Sequence, residues 1–150
     1  MRWFEDIVGY WTFILTIGTS IILSACNEEE PKNQVGLRPA ELVLDFTGFR
    51  HEIVDGRHTY YHKRKYSELM GTGVTLEAGK VCVENGKACL SARVDYRIDG
   101  GKKLEQANHH FATRLSQDMI TIEYWGKDDA GNDLRIKKTL RVEGDKVEMH

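Results

Sequence analysis

A chain of 150 residues, 41% hydrophobic and 29% charged, has room for one domain and an appendage but not for two domains. Its net charge of −2 implies no strongly charged partner, and from residue 35 onward 19 Lys and Arg stand against 18 Asp and Glu. So neutral a region lacks the basic footprint of a protein that grips nucleic-acid phosphates, which excludes nucleic acid as a partner class.

Residues 7–25, IVGYWTFILTIGTSIILSA, carry no charge, and Arg2 is the one basic residue ahead of them. A segment of this kind spans a membrane or directs export. It closes on Leu23-Ser24-Ala25-Cys26, which resembles the lipobox of bacterial lipoproteins: an aliphatic residue, two small ones, then cysteine. The resemblance implies that the signal is cut before Cys26, that its sulfur is lipidated and that the new amino terminus is acylated. An uncleaved membrane helix over residues 1–25 is the alternative. Either way Arg2 favours the cytoplasmic side, which puts the rest of the chain in the cell envelope outside the cytoplasm. Asn27 stands where an aspartate-type inner-membrane retention signal would have Asp, so the outer membrane is expected over the inner. Residues 27–36, NEEEPKNQVG, show no apolar periodicity and read as an acidic, solvated tether between Cys26 and a domain over 37–150.

Beyond the tether the apolar period is two. From 87 to 98 the even positions are Ala88, Leu90, Ala92, Val94, Tyr96 and Ile98, against Lys87, Cys89, Ser91, Arg93, Asp95 and Arg97, the pattern of a half-buried strand. Ile120, Ile122 and Tyr124 alternate with Thr121, Glu123 and Trp125; Leu134, Ile136, Leu140 and Val142 alternate with Arg135, Lys137, Thr139 and Arg141. Lys138 breaks the apolar side, as an edge strand tolerates. Hairpin-type turns are read at VDGR (54–57), ENGK (84–87), DGGK (99–102) and DDAGND (128–133), and no stretch carries a helical stripe. Seven or more short strands predict an all-β antiparallel sandwich, with a small barrel as the alternative. Residues 120–142, ITIEYWGKDDAGNDLRIKKTLRV, resemble the closing hairpin of bacterial immunoglobulin-like domains, in which an aromatic strand enters an Asp-x-Ala-Gly-Asn turn. This resemblance implies an immunoglobulin-like sandwich, although Asp118, Met119 and Ile120 stand where such domains carry a corner tyrosine.

With Cys26 assigned to lipid, Cys82 and Cys89 remain as a disulfide pair suited to an oxidising compartment. A two-residue Asn85-Gly86 turn puts them opposite one another as a hydrogen-bonded pair with Cα atoms about 5.5 Å apart. The bridge would staple a hairpin and, with Cys89 on the polar face, would not join two sheets. A hairpin turning at Asp55-Gly56 places His51, His58 and His62 on one face with Phe49, Ile53 and Tyr60. His58 and His62 are about 13 Å apart along a strand and cannot share an ion, so His51 can join one of them diagonally, short of four ligands. No metal or other cofactor is expected, and the Asp and Asn of DDAGND are accounted for by bonds to their own turn without calcium. YYHKRKY (60–66) interleaves aromatics with cationic side chains, which makes Tyr60, Tyr61, Lys63 and Arg64 candidates for contact with a partner.

No nucleophile motif, phosphate loop or dinucleotide fingerprint appears, and a non-enzymatic role is expected. Trp125 and Arg135, outward and opposite one another in the closing hairpin, are the remaining contact candidates, with the guanidinium expected over the indole. The expected function is a lipid-anchored binding or structural module of the envelope that meets a protein partner. The alternative is an envelope-anchored inhibitor or immunity protein directed at an exported toxin or hydrolase.

Overall fold

The computed structural model describes residues 36–150, so the expected signal or anchor, Cys26 and nearly all of the tether lie outside the described residues. The described chain forms eight strands and no helix: β1 Leu42–Val54, β2 Arg57–Glu68, β3 Val74–Val83, β4 Ala88–Ile98, β5 Lys103–Thr113, β6 Gln117–Asp128, β7 Asp133–Glu143 and β8 Lys146–Met149. They make two antiparallel sheets, ordered β1-β2-β5 and β4-β3-β6-β7-β8. The sheets do not close into a barrel. They pack as a sandwich, with the first, second and fifth strands facing the rest in an immunoglobulin-like partition.

Alternation fills the space between the sheets. Leu44, Phe46, Tyr60, Tyr66 and Phe111 from the three-stranded sheet meet Val74, Leu76, Ile98, Ile120, Ile122, Tyr124, Ile136, Leu140 and Val142 from the five-stranded one. At about 1.5–3 kcal/mol for each large side chain taken out of water, this layer is the main stabilising element of the fold. Asp55 and Gly56, both at positive φ, close the β1–β2 hairpin as expected of a two-residue turn. Lys138 opposes Ile122 on a part of β7 that β8, paired with residues 140–143, does not cover. A charge is therefore tolerated there.

Two turn readings require correction, and one turn is added. DGGK carries a tight turn, Lys102 N donating to Asp99 O at 3.0 Å, but it passes the chain from β4 in one sheet to β5 in the other, so it is no hairpin. The β3–β4 loop has four residues, with Glu84, Asn85 and Gly86 all at positive φ and Val83 paired with Ala88. The longer loop changes the character of the next pair: Cys82 and Cys89 are opposite and disulfide-bonded, but their Cα atoms are 4.0 Å apart, close to the spacing of a non-hydrogen-bonded pair. The EGDK turn joining β7 to β8 was not anticipated, because β8 has four residues and one partly buried apolar side chain, Val147.

The start of β4 is also more exposed than its alternation suggests. Ala88, Leu90 and Ala92 point to the inner side, yet Leu90 remains 75% exposed. As the edge of the wider sheet, β4 leaves Ala88 and Leu90 lining an open cleft of about 390 Å³ with Val81, Val83 and Phe111.

Candidate functional site

The outer face of the five-stranded sheet carries a groove of about 510 Å³ over strands β3, β6 and β7. At its centre is Trp125, 37% exposed, with Ala78 as its neighbour in β3 and Arg135 in β7. A bulge in β3 makes the room. Leu76 pairs with Gly126 and Ala78 with Trp125, which leaves Glu77 as an extra residue turned outward beside small Ala78. The bulge brings β3 hard against β6 at Gly126, where a Cβ would stand 1.9 Å from Thr75 O and 2.7 Å from Leu76 Cα. Glycine is a structural requirement at that point.

The groove walls pair opposite charges. Arg135 donates from Nε to Glu123, and Lys127 Nζ donates to Asp133 at 2.6 Å. The bond from Arg135 holds the Glu123 carboxyl below the usual carboxylate range against the opposing effect of its burial, and it raises Arg135 in return. Asp133 likewise raises Lys127. Glu77 and Lys80 complete the rim. Arg135 stands opposite Trp125, as the sequence indicates, but its guanidinium goes to Glu123 instead of lying over the indole. The nearby carboxylate is the stronger partner for a cation, so the ring face is left open.

The second predicted surface, YYHKRKY, is divided by strand alternation. Tyr61 and Lys63 face outward, and Arg50 lies 4.5 Å over the Tyr61 ring. Tyr60 is fully buried and Arg64 is 6% exposed, both between the sheets, so neither can take part in a surface contact. Arg64 donates to His62 Nε2 at 3.1 Å and to the Tyr124 hydroxyl, while His62 Nδ1 lies 3.2 Å from Tyr60 O. Burial, reinforced by the Arg64 charge, pushes His62 down to about 4. Burial also raises the Tyr66 and Tyr124 hydroxyls. Among the described residues no carboxylate pairs with Arg64. Two bulges flank this cluster, one in β1 between Thr47 and Arg50 and one in β5 beside Asn108, itself at positive φ. They bend the three-stranded sheet around the guanidinium.

In the DDAGND turn the carboxylate oxygens are taken by donors. Asp128 accepts from Ala40 N, Asn132 N and Asn132 Nδ2, and Asp129 accepts two bonds from Arg97 at 2.7 and 2.8 Å. The turn is thus built by nitrogen donors. What sequence reasoning missed is the supporting carboxylates. Glu68, 3% exposed, accepts from four backbone N–H groups of Glu41, Met70, Gly71 and Gly101. Asp118, also 3% exposed, accepts from Glu84 N and Asn85 N at 2.6 Å each and from Met119 N. Asp118 lies at the corner entering β6, and from there it fixes the β3–β4 loop. Its position in an apparently polar run gave no signal of burial.

No family model matches the chain, and no curated protein matches it. Among solved structures it is similar to a Bordetella pertussis protein named ApaA, with a TM-score of 0.58 and 8% identity over 73% of this chain and 98% of that one. It is also similar to a structural-genomics target designated SoR45, with a TM-score of 0.50 and 12% identity over 69% of this chain and 84% of that one. At such identities the likeness shows a shared β-sandwich fold.

Proposed function

We propose that this chain is a lipid-anchored envelope protein whose sandwich binds a protein partner through the outer face of the five-stranded sheet. The observation that carries the reading is the groove centred on Trp125. A large rigid ring with an open face, in a groove where Glu123 and Asp133 are already paired with Arg135 and Lys127, gives up buried area at low entropic cost and is the composition of a contact hot spot. Glu123 and Asp133 are held by Arg135 and Lys127, an arrangement that supports binding rather than acid–base work. The Cys82–Cys89 bridge and the lipobox-like Leu23-Ser24-Ala25-Cys26 both support an envelope location, with attachment to the membrane, the outer one by the Asn27 argument, through acyl chains on Cys26.

Two measurements test it. A photo-crosslinking side chain at Lys127, on the groove, is expected to trap a discrete adduct in cells, whereas one at Lys63 on the opposite sheet traps none. Equal adducts from both positions, or none from Lys127, would remove the groove from the proposal. Mass spectrometry of the mature chain is expected to find acylated Cys26 as its first residue; an intact segment 1–25 would overturn the lipoprotein assignment.

A further inference from the structure

At the β1–β2 hairpin two histidines from adjacent strands meet edge to edge. His51 in β1 pairs with Tyr60 and His58 in β2 pairs with Ile53, so the two are diagonal neighbours on the inner face. His51 Nε2 lies 3.0 Å from His58 Nδ1. The rings are within 5° of parallel and their centroids are 5.1 Å apart, close to the nitrogen contact plus the two ring radii, so the nitrogens face one another and the rings do not overlap. The other nitrogen of His51, Nδ1, lies 2.9 Å from the carboxylate of Asp145 in the β7–β8 turn of the other sheet. The Tyr60 ring, fully buried, stacks on His51 at 4.8 Å and fixes its plane. The buried Tyr60 hydroxyl has no hydrogen-bond partner among the described residues.

We infer that His51 and His58 form a binding site for a transition-metal ion of the copper or zinc class, with Asp145 as the outer carboxylate that orients His51. Two metal–nitrogen bonds of about 2.0–2.1 Å hold their nitrogens about 2.9 Å apart at a right angle and about 3.3 Å apart at the tetrahedral angle. The observed 3.0 Å falls between these values, so entry of an ion needs tilting of the rings and little separation of the strands. A carboxylate on the far nitrogen of a ligating histidine is the standard outer partner, because it sets the tautomer and makes the ligand more basic. With the Nδ1 proton of His51 given to Asp145, Nε2 carries the lone pair and accepts from His58 Nδ1–H. Coordination through His58 Nδ1 moves that proton to its own Nε2 through solvent, and no net proton is lost. Among the described residues no three His, Cys, Asp or Glu side chains surround one centre. The ion therefore has two protein ligands, with water at its remaining positions. Paired imidazoles select Cu²⁺ and Zn²⁺ over Ca²⁺ and Mg²⁺, which require oxygen donors.

The test is calorimetric titration of the full chain in detergent with Cu²⁺, Zn²⁺ and Mg²⁺. Where Cys26 carries no lipid its thiol is alkylated without reductant, so that the Cys82–Cys89 bond stays intact. One Cu²⁺ or one Zn²⁺ per chain is expected, copper the tighter, with no response to Mg²⁺. His51→Ala and His58→Ala each weaken Cu²⁺ binding at least tenfold, Asp145→Asn weakens it roughly tenfold with the stoichiometry kept, and His110→Ala changes nothing. Electron paramagnetic resonance of the Cu²⁺-loaded unmutated chain is expected to show hyperfine coupling to two imidazole nitrogens. It decides the matter even if a histidine variant fails to fold. Absence of a saturable single site, coupling to fewer than two imidazoles, or affinity unchanged in both histidine variants would overturn the assignment.

Discussion

Arg64 is the residue least expected from the sequence, because within YYHKRKY it reads as one more solvated cation. Strand alternation turns it inward, and the bulges on either side of β2 make the space that receives it. A buried charge with hydrogen bonds but no carboxylate is costly, and a hydrophobic replacement of similar volume is often neutral or stabilising. Arg64→Met is therefore expected to leave stability within about 1 kcal/mol of the parent or above it in urea unfolding, whereas Arg64→Glu abolishes folding. The charge also acts on His62, which burial and Arg64 together hold down to about 4 against an ordinary 6.5. A histidine whose folded value is depressed stabilises the fold fully above the unfolded value and loses that contribution as pH falls towards the folded value. Between pH 6.5 and about 4 the protein is thus expected to lose about 3 kcal/mol. His109, lowered mainly by burial, adds a loss of the same sign. Unfolding curves at pH 7, 6, 5 and 4.5 check this, since His62→Gln should remove most of the slope across that window; an equal slope in the variant would place the titration elsewhere.

At the scale of elements, buried carboxylates do for the loops what the apolar layer does for the strands. Glu68 ties the β2–β3 connection to the crossover turn through Gly101, Asp118 ties the β3–β4 loop to the start of β6, and Asp128 ties residue 40 to the β6–β7 turn. Burial opposes the charge on Glu68, but donations from Gly101, Met70, Gly71 and Glu41 outweigh it and hold the carboxyl below its usual range. Asp118→Ala leaves the Glu84 and Asn85 N–H groups without their acceptor. A loss of about 2–3 kcal/mol is expected, with faster amide exchange confined to residues 83–88; protection unchanged there would show that the hairpin does not depend on the carboxylate. Gly126→Ala acts on the ladder itself, because the added Cβ meets backbone in β3. It is expected to cost roughly 2–3 kcal/mol and to open the β3–β6 amides to exchange. The β6–β7 hairpin was legible in the sequence down to the pairs Tyr124 with Ile136 and Trp125 with Arg135, because strict alternation on both sides of one turn fixes the register. The bulges were not legible, since they follow from the approach of distant strands at Gly126 and around Arg64. The groove shares that origin: Trp125 could be placed on the outer face, but the space above it comes from the bulge at Glu77 and the redirection of Arg135 to Glu123.

For the whole molecule, the question is what keeps the two sheets together, and the disulfide is not the answer. Cys82 and Cys89 are neighbours within one sheet, on its outer side, and the bridge closes a loop with a sequence separation of 7. The sheets are joined by the apolar layer and by polar links such as Arg64 to Tyr124, Asp128 to Ala40 and Asp145 to His51. A bridge between sheets would make the native topology depend on oxidation, while a bridge within a hairpin removes conformations from the unfolded chain and leaves the packing unchanged. In the chain-entropy model so short a loop is worth about 2.5 kcal/mol. Replacing both cysteines with serine is therefore expected to lower the unfolding free energy by up to about 2.5 kcal/mol while the near-ultraviolet circular dichroism of the buried tyrosines stays native. Asp118 continues to hold the loop, and the β3–β4 ladder continues to set its register. A molten spectrum for the double variant would mean that the hairpin is the nucleus on which the second sheet assembles, and the apolar layer would then be insufficient to specify the sandwich by itself.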